Sequence, residues 1–420
     1  MEFKYTLWFY RRLLKRSHKL TTAPVRTQPR PQGGLKLFYK NLKTSALATS
    51  ALFVAAAFTA SNAVAETLTL NQYVLPKHVV VKDGTMPLIE EIKEATDGDL
   101  DIKLFTGGTP LSAQATLGGL QAGAVDAGMV ILTYHPAEFP VVQYLNDLAP
   151  PTDDTLVVAG AFNEYLMTKC QRCQDEFQEA GVVFTGSYTA APLLLVNREV
   201  YRTPEDLVGK RVRIPGGDYN SRWADYFKLS PINVGGSEVY EMMNRGAVDI
   251  TLNPAAILQT HSLADVAKSV ITMPVAMHRV SSPYVFSADS WAKLTDEQRR
   301  AFLDSTAVAM MRITAAYLKD SETALEEAAG RDIEVIEPGD ELKAVMSEFL
   351  EQDLETIYKI AREQYKIEDP EAIRDDFIAL IEKWKGIAEE TGRDAEKMGQ
   401  RLRENAYADL DAASYGMASE

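Results

Sequence analysis

Two cysteines, Cys170 and Cys173, have the spacing most directly suited to chemistry, because a C-x-x-C pair can form a disulfide, a redox centre or half of a zinc site. They are the only cysteines of the 420-residue chain. The pair lies inside a polar stretch, residues 163–180, that is predicted to be helical. Redox-active pairs usually lie at a helix amino terminus after a strand, so this position favours a local structural disulfide in an oxidising compartment.

A zinc site would need two further ligands near the cysteines. The sequence contains no G-x-S-x-G, H-E-x-x-H or G-x-G-x-x-G motif and no Cys–His combination suited to nucleophilic catalysis. We therefore predict no metal and no cofactor. The histidines beyond residue 65, which show no clustering, are His78, His135, His261 and His278.

The first 65 residues differ in composition from the rest of the chain, with eleven Lys and Arg against a single acid. A basic segment at 36–43 precedes an uncharged run at 45–60, which is followed by Ala63-Val64-Ala65. This order predicts a secretory signal peptide that is cleaved after Ala65, and hence a periplasmic protein. A retained membrane anchor is the alternative, but it would need about 20 strongly apolar residues. The role of residues 1–34 stays open.

The part beyond residue 65 keeps 33 of the 44 basic residues and 58 of the 59 acidic ones, a net charge of −25. Such a charge argues against nucleic acid and anionic membranes as partners. It also repels anionic ligands at long range, so a site for an acid must be a local concentration of positive charge inside a cleft. The length leaves room for two ordinary domains.

Short β-branched runs alternate with helical stretches after residue 65, which predicts an α/β architecture. The segment at 120–127 returns in similar form at 243–250, and both copies end a helix at the glycine of a G-A-V-D sequence before an apolar strand. Glycine supplies the left-handed residue that ends a helix. Two such units predict two similarly built lobes, although a helix–glycine–strand junction is common in any α/β protein.

The chain is predicted to be almost wholly helical after Leu294. Thr295 and Gln298 have the spacing of a capping box, and no proline or glycine follows until Gly330. A helix of about 35 residues spans about 50 Å, so it should bridge both lobes. After Pro370, an apolar stripe predicts a helix that packs either on the body or on a second subunit, which leaves a homodimer open. The stripe consists of Phe377, Leu380, Ile381, Trp384 and Ile387.

The block at 204–215, P-E-D-L-V-G-K-R-V-R-I-P, resembles the signature of the DctP family, the substrate-binding proteins of TRAP transporters, which runs D-L-K-G-x-K-[IV]-R-[VT]-P. The resemblance covers about residues 67–366 because the order and spacing of further matches agree. Those matches are Pro76-x-His78, Leu104-Phe105 with Gly107, both G-A-V-D copies, S-E-V-Y at 237–240, and Asn253-Pro254.

The resemblance implies an α/β, two-lobed periplasmic binding protein of type II-like topology, with a long interlobe helix and a helical C-terminal extension. It implies that a small organic acid is captured between the lobes and delivered to a TRAP membrane permease, without catalysis. An exported enzyme on the same scaffold and a ligand sensor for a signalling partner are the alternatives. The implied division is an extension and signal peptide at 1–65, lobe I at 66–191 plus 279–318, lobe II at 192–278 plus 319–370, and a helical extension at 371–420.

The resemblance also implies the site, because the family's arginine at the Arg213 position pairs with the ligand carboxylate. A guanidinium offers two parallel N–H donors that match a carboxylate. The alternative for Arg213 is a structural ion pair with an acid of the other lobe. Asn253 is expected to present its amide to a second polar group of the ligand, and His78 joins the site as part of an upstream match. Tyr134 and Tyr188 follow strands of the first lobe and are expected either to cover the ligand or to lie in the core.

Two departures from the family pattern bear on the ligand. Gly235-Gly236 stands where many members have Trp or Phe, so one wall of the pocket is missing or supplied differently, and Gly236 is included in the expected site. This pair is closer to the branch that takes 2-oxo acids, whose members can hold a cation, but no cluster of acids accompanies it. The sialic-acid branch has a second arginine where this chain has A-A-P at 190–192, which argues against sialic acid. Arg211 is expected to be a solvated surface charge.

Overall fold

The computed structural model describes residues 66–417, so the predicted extension and signal peptide at 1–65 lie outside the described residues. Between residues 66 and 417, no helix is both long and apolar enough to cross a bilayer. The strands are β1 Glu66–Asn71, β2 Leu100–Phe105, β3 Ala127–Ile131, β4 Val182–Val183, β5 Leu193–Asn197, β6 Arg211–Ile214, β7 Ser230–Asn233, β8 Ile250–Asn253, β9 Ser269–Ala276, β10 Ser281–Ser287 and β11 Glu334–Ile336.

Helices cover both sheets and form most of the last third of the chain. Two π-helical turns, Val80–Thr85 and Arg403–Tyr407, directly precede the first and directly follow the last of the described α-helices. The helices are α1 Met86–Ala95, α2 Thr116–Gln121, α3 Pro140–Asp147, α4 Thr155–Thr168, α5 Gln171–Glu179, α6 Pro204–Leu207, α7 Asp218–Tyr226, α8 Val239–Asn244, α9 Ile257–Thr260, α10 Ala288–Lys293, α11 Asp296–Ala328, α12 Asp340–Glu363, α13 Pro370–Thr391 and α14 Ala395–Leu402.

The strands form two separate sheets, which confirms the predicted α/β, two-lobed class. Sheet A has the order β2-β1-β3-β10-β4, and sheet B has the order β11-β9-β5-β8-β6-β7. In sheet A β1 is parallel to β2 and β3, and in sheet B β6 is parallel to β7 and β8. The chain passes from sheet A to sheet B between β4 and β5 and returns between β9 and β10. Below, lobe I and lobe II denote the parts of the chain around sheets A and B, and their exact residue boundaries stay a prediction.

The near-repeat forms equivalent junctions in the two lobes, as predicted. Gly123 after α2 and Gly246 after α8 are left-handed, with φ of 66° and 69°. The aspartate that follows each glycine binds a neighbouring parallel strand: Asp126 Oδ2 accepts the Thr69 backbone N–H of β1 at 2.8 Å, and Asp249 Oδ2 accepts the first backbone N–H of β6 at 3.0 Å. Both aspartates therefore join a helix–strand unit to the strand beside it.

Two helices connect the lobes, although the sequence predicted only one. α11 begins with the predicted capping box, and its buried Met310 lies in the core of sheet A, whereas Ala324 lies in a core of sheet B. α12 runs the other way between the same cores: Phe349 packs in lobe II and Ile357 in lobe I. Both helices therefore bridge the two sheets.

The cysteine pair forms the predicted disulfide, but its predicted position inside a helix was wrong. Cys170 lies at the amino-terminal cap of α5 and is bonded to Cys173. The chain breaks there because α4 is buried on every side up to Met167, whereas α5 is mostly polar and buries only one face. The two segments therefore pack differently and cannot continue as one helix.

The apolar stripe of α13 packs on the chain's own helix α4. Trp384 is fully buried against Gly160, where an added Cβ would lie 2.2 Å from the indole ring, and its Nε1 donates to Glu164 Oε2 at 2.8 Å. Of the two alternatives that the sequence left open for this helix, packing on the body of the protein or on a second subunit, the structure shows the first. The stripe on which the homodimer expectation rested is covered within the chain, so it gives no support to a dimer.

Candidate functional site

The expected site residues of lobe II lie at the carboxyl ends of parallel strands. Arg213 is in the second half of β6, where it is in register with Thr251 of β8, and Asn253 is the last residue of β8. Gly236 begins a short 3₁₀ turn just after β7. The carboxyl edge of such a sheet is the usual position of a ligand crevice.

Arg213 is a buried cation that has no acidic partner. Its side chain is 2% exposed. Nε donates to Val234 O at 2.9 Å, whereas Nη1 reaches Leu252 O and Asn253 Oδ1 only at 3.4 Å each. Among residues 66–417, Nη2 has no acceptor and no carboxylate forms an ion pair with the guanidinium. The structural ion pair that was the alternative for Arg213 is therefore not present in the described part of the chain.

Burial lowers the pKa of Arg213 to about 10, and the nearby Tyr134 and Glu238 only partly oppose this effect. The side chain still carries its charge at neutral pH. A buried charge without a counter-charge is unfavourable, because it has lost its hydration and gained no ion pair. The site is therefore electrostatically suited to an anion.

Two other arginines have structural roles, and their contacts differ from those of Arg213. Arg211 was expected to be a solvated charge, but its half-exposed side chain binds Asp249 through Nε and Nη2 at 3.0 and 2.8 Å. Arg279 is as buried as Arg213, yet its Nη2 donates to three carbonyl oxygens at the carboxyl end of α3. Its guanidinium also lies over two phenyl rings, those of Phe162 and Phe377.

The aromatic residues of lobe I form a connected group opposite Arg213. Tyr188 is 3% exposed and stacks on Tyr317 of α11, with ring centroids 5.5 Å apart. Tyr317 Oη in turn lies 2.9 Å from His78 Nε2. Tyr134 is half-buried in the turn after β3. Its ring lies 3.8 Å from the position that a Cβ at Gly216 of lobe II would occupy. Tyr134 therefore meets lobe II directly, whereas Tyr188 lies in the core behind Tyr317.

A small pocket of about 60 Å³ lies where these groups meet. It brings together two of the six expected residues, His78 and Asn253. Arg213 does not line this pocket, but it binds Asn253 at the edge of the pocket. Gly236 also lies near the pocket, since a Cβ at this position would be 3.9 Å from Nε2 of the lining residue His261. The full lining is His78, Val79, Asn253, Pro254, Ala256, Ile257, Thr260, His261, Tyr317 and Asp320.

The sequence reasoning missed Tyr317, Asp320 and His261. Tyr317 and Asp320 are three residues apart on α11, and hence on one face of the helix, at the point where it passes between the lobes. His261 follows β8 after the short helix α9. Two signals in the sequence could have identified these residues. One is a polar pair at helical spacing in the predicted bridging helix, and the other is a histidine shortly after a strand of the site.

The histidines of the site are kept neutral by their surroundings. Burial lowers the pKa of His78 to about 4, with smaller effects from His261 and Lys82. Burial likewise lowers the pKa of His261, and the nearby Arg213 adds to the effect. Between residues 66 and 417, no three His, Cys, Asp or Glu side chains come together in a way that could hold a metal ion. The pocket therefore offers neutral imidazoles beside a buried cation.

Comparisons with known proteins agree on the family to which the sequence is similar. The profile of the bacterial extracellular solute-binding proteins, family 7 (DctP), matches residues 70–360. A solute-binding protein of Roseobacter denitrificans is 23% identical over 232 residues, which are 52% of this chain and 66%, or just under two thirds, of that protein.

Solved structures share the fold at low sequence identity. A TRAP periplasmic solute-binding protein from Bordetella bronchiseptica with bound (R)- and (S)-mandelate has a TM-score of 0.65 and 24% identity, and the match covers 76% of this chain and 99% of that one. A Bordetella pertussis extracytoplasmic solute receptor binding pyroglutamic acid has a TM-score of 0.64 and 18% identity, with coverage of 74% and 99%. At these identities the likeness shows the fold alone.

The family profile extends over more than two thirds of the sequence, and the two-sheet architecture with its bridging helices agrees with the solved relatives. Members of this family are solute receptors and not enzymes. The chain therefore belongs to the DctP family, the bacterial extracellular solute-binding proteins of family 7.

Proposed function

We propose that this receptor captures a small organic acid between its two lobes, with Arg213 binding the carboxylate, and delivers it to a TRAP permease outside the cytoplasm. One observation carries the proposal: Arg213 is 2% exposed, no acid among the described residues neutralises it, and its Nη2, unlike that of Arg279, has no acceptor among them. A ligand carboxylate would supply the missing counter-charge. Placing it in a buried site makes the resulting ion pair strong, because water no longer competes for either partner.

The free hydrogen-bonding capacity of Arg213 suits this role. Nη2 has no acceptor among residues 66–417, and the two contacts of Nη1 are at the long limit of a hydrogen bond. A carboxylate can accept from both terminal nitrogens in parallel. Asn253 holds the guanidinium from the side through Oδ1, and its own Nδ2 is fixed by Thr251 Oγ1 at 2.6 Å. Arg213 therefore contributes the ligand contacts, while Asn253 orients it and borders the pocket.

The remaining expected residues supply the walls. His78 lines the pocket, and Tyr188 supports it through Tyr317. Tyr134 comes from lobe I but lies near enough to Arg213 of lobe II for the arginine to affect the pKa of its hydroxyl, which burial raises. Gly236 leaves space beside His261. Because these groups come from both lobes, movement of the lobes about α11 and α12 would open and close the site.

The bound molecules of the structural relatives agree with a carboxylate ligand. Related receptors were solved with mandelate, pyroglutamic acid and L-gulonate. The extracytoplasmic location follows the family, and the predicted signal peptide at 1–65 would provide the export route. Delivery to a permease is the role of TRAP solute receptors, and it requires that the closed, loaded form differs from the open one.

The test is calorimetry and thermal shift against a panel of organic acids, with the protein purified from the periplasm and any co-purified ligand identified by mass spectrometry. We expect saturable 1:1 binding with the acid recovered unchanged. Arg213→Ala should weaken binding by about 2–5 kcal/mol, the usual range for truncating a buried charged pair. Arg211→Ala, which removes a neighbouring arginine of β6 that already has its own acid, should leave affinity unchanged. Turnover of the acid, or equal affinity in the Arg213 variant, would contradict the proposal.

A further inference from the structure

Some of the hydrogen-bond donors that line the pocket beside Arg213 are already engaged among the described residues. Thr260 Oγ1 donates to Ala256 O at 3.0 Å, and Asn253 Nδ2 donates to Thr251. His78 Nδ1 accepts the Val80 backbone N–H at 3.3 Å, so the proton of the neutral ring is assigned to Nε2, which donates to Tyr317 Oη. The hydroxyl of Thr260 and the Nε2–H of His78 are thus used within the protein, whereas Asn253 Nδ2 keeps a second N–H and the Tyr317 hydroxyl keeps its own hydrogen.

His261 presents an acceptor to the pocket. The Thr260 hydroxyl, which lies 3.0 Å from His261 Nδ1, uses its only hydrogen on the Ala256 carbonyl. The proton of the imidazole is therefore assigned to Nδ1, which donates to the Thr260 oxygen. Nε2 is left as a lone pair, and among residues 66–417 it has no hydrogen-bond partner. Burial lowers the pKa of this ring, which keeps Nε2 unprotonated at neutral pH.

Asp320 adds a second acceptor on the same pocket. It is half-buried on α11, one helical turn after Tyr317, and lines the pocket together with His261. No Lys, Arg or His among the described residues forms an ion pair with it, and no hydrogen-bond donor of residues 66–417 reaches its carboxylate. The pocket thus joins a carboxylate and an imidazole lone pair, neither of which receives a hydrogen bond from the described residues.

We infer that the receptor selects monocarboxylates that also carry a hydrogen-bond donor, an ammonium or a hydroxyl group, which occupies the pocket between Asp320 and His261. This inference rests on the proposed function, because Arg213 is taken as the anchor of the ligand carboxylate. A dicarboxylate is disfavoured, since its second carboxylate would meet the negative charge of Asp320. The volume of about 60 Å³ suits a substituent of a few atoms.

Matched ligands test the inference on the unaltered protein. We would measure calorimetric affinities for amino- and hydroxybutyrates with the substituent at each position, for butyrate and for succinate, and extend the same comparison to longer acids. At least one donor-bearing acid should bind about tenfold or more tightly than its unsubstituted parent, and the dicarboxylates should bind most weakly. Equal or tighter binding of the plain acids or of the dicarboxylates would overturn the inference. Failure of every acid to bind would contradict the proposed function and the inference with it.

Two variants separate the inference from the proposed function. Asp320→Asn keeps the shape and removes the charge, so affinity for the donor-bearing acid should fall about tenfold or more, while affinity for the plain acid stays the same or rises. Glu326→Gln, on an exposed turn of the same helix, is the matched control and should change neither. Arg213→Ala should weaken all the acids alike. If Asp320→Asn has no effect while Arg213→Ala abolishes binding, the inference is wrong and the proposed function stands.

Discussion

Replacing Arg213 with methionine should abolish ligand binding with little effect on the stability of the free protein. Burial lowers the pKa of Arg213 from 12.5 to about 10. That difference corresponds to about 3 kcal/mol against the charged side chain in the fold. Because the arginine is charged in both the folded and the unfolded protein at neutral pH, this cost is fully present there. Its three hydrogen bonds, two of them 3.4 Å long, offset about 1–3 kcal/mol.

Methionine has a similar reach and removes both effects together, so the free energy of unfolding without ligand should change by about 1 kcal/mol or less. Affinity for the acid should fall by about 2–5 kcal/mol, or about 30- to 5000-fold. Arg279→Met is the matched control, because Arg279 is equally buried but caps three carbonyl oxygens of α3. Burial lowers the pKa of Arg279 to about 10 as well, but three carbonyl acceptors and two phenyl rings offset that cost. Arg279→Met should therefore lose about 1–3 kcal/mol more stability than Arg213→Met and keep its affinity.

Urea unfolding without ligand and calorimetry with ligand measure the two quantities independently. Circular dichroism before unfolding shows whether each variant retains its secondary structure. The reasoning fails if Arg213→Met destabilises the free protein as much as Arg279→Met does and leaves affinity intact. Arg213 would then be a structural arginine like Arg279, and its lack of an acidic partner would say nothing about a ligand.

Three further outcomes are expected. Gly160→Ala should destabilise the protein by about 1–3 kcal/mol in urea unfolding, because the new methyl group overlaps the Trp384 ring, and a stability equal to that of the wild type would contradict the packing of α13 on α4. Replacing Cys170 and Cys173 together with serine should cost about 2 kcal/mol, as expected for so short a loop, and should leave ligand affinity unchanged. Burial, with Arg279 and Arg213 nearby, lowers the pKa of His278 from 6.5 to about 4. The contribution of the neutral, buried ring to stability is therefore present above pH 6.5 and is lost as the pH falls toward 4, because the unfolded chain takes up the proton first. Relative to His278→Gln, the wild type should lose about 2 kcal/mol between pH 7.5 and pH 5, and parallel pH profiles of the two proteins would refute this assignment.

The parts of the fold that the sequence predicted depend on local chemistry. The capping box at the start of α11 and the left-handed glycines after α2 and α8 are fixed by a few neighbouring residues, so their types and spacing were sufficient. The bridging role of α12 was not readable in this way. Its apolar positions have the spacing of any amphipathic helix, and only the tertiary structure shows that Phe349 and Ile357 lie in different cores.

The site was predictable to the extent that a family motif marked it. Arg213 and Asn253 stand in segments that resemble the family, and strand ends are natural positions for such residues. Asp320 and His261 lie outside those segments, and they meet only because α11 passes beside the loop after β8. Contacts between elements so far apart in sequence depend on how the lobes are arranged, which the pattern of residues does not encode locally.

The near-repeat explains how two similarly built lobes provide different halves of one site. In each lobe the G-A-V-D aspartate binds the backbone of a neighbouring parallel strand: Asp126 binds β1, and Asp249 binds β6 two residues before Arg213. These joints fix the strands and leave their carboxyl ends for other residues. Tyr134 follows β3, and Asn253 is the last residue of β8. The shared junctions therefore determine the scaffold, and under the proposed function the residues just beyond them, one aromatic and one amide, would make lobe I a cover and lobe II the anchor for an anion.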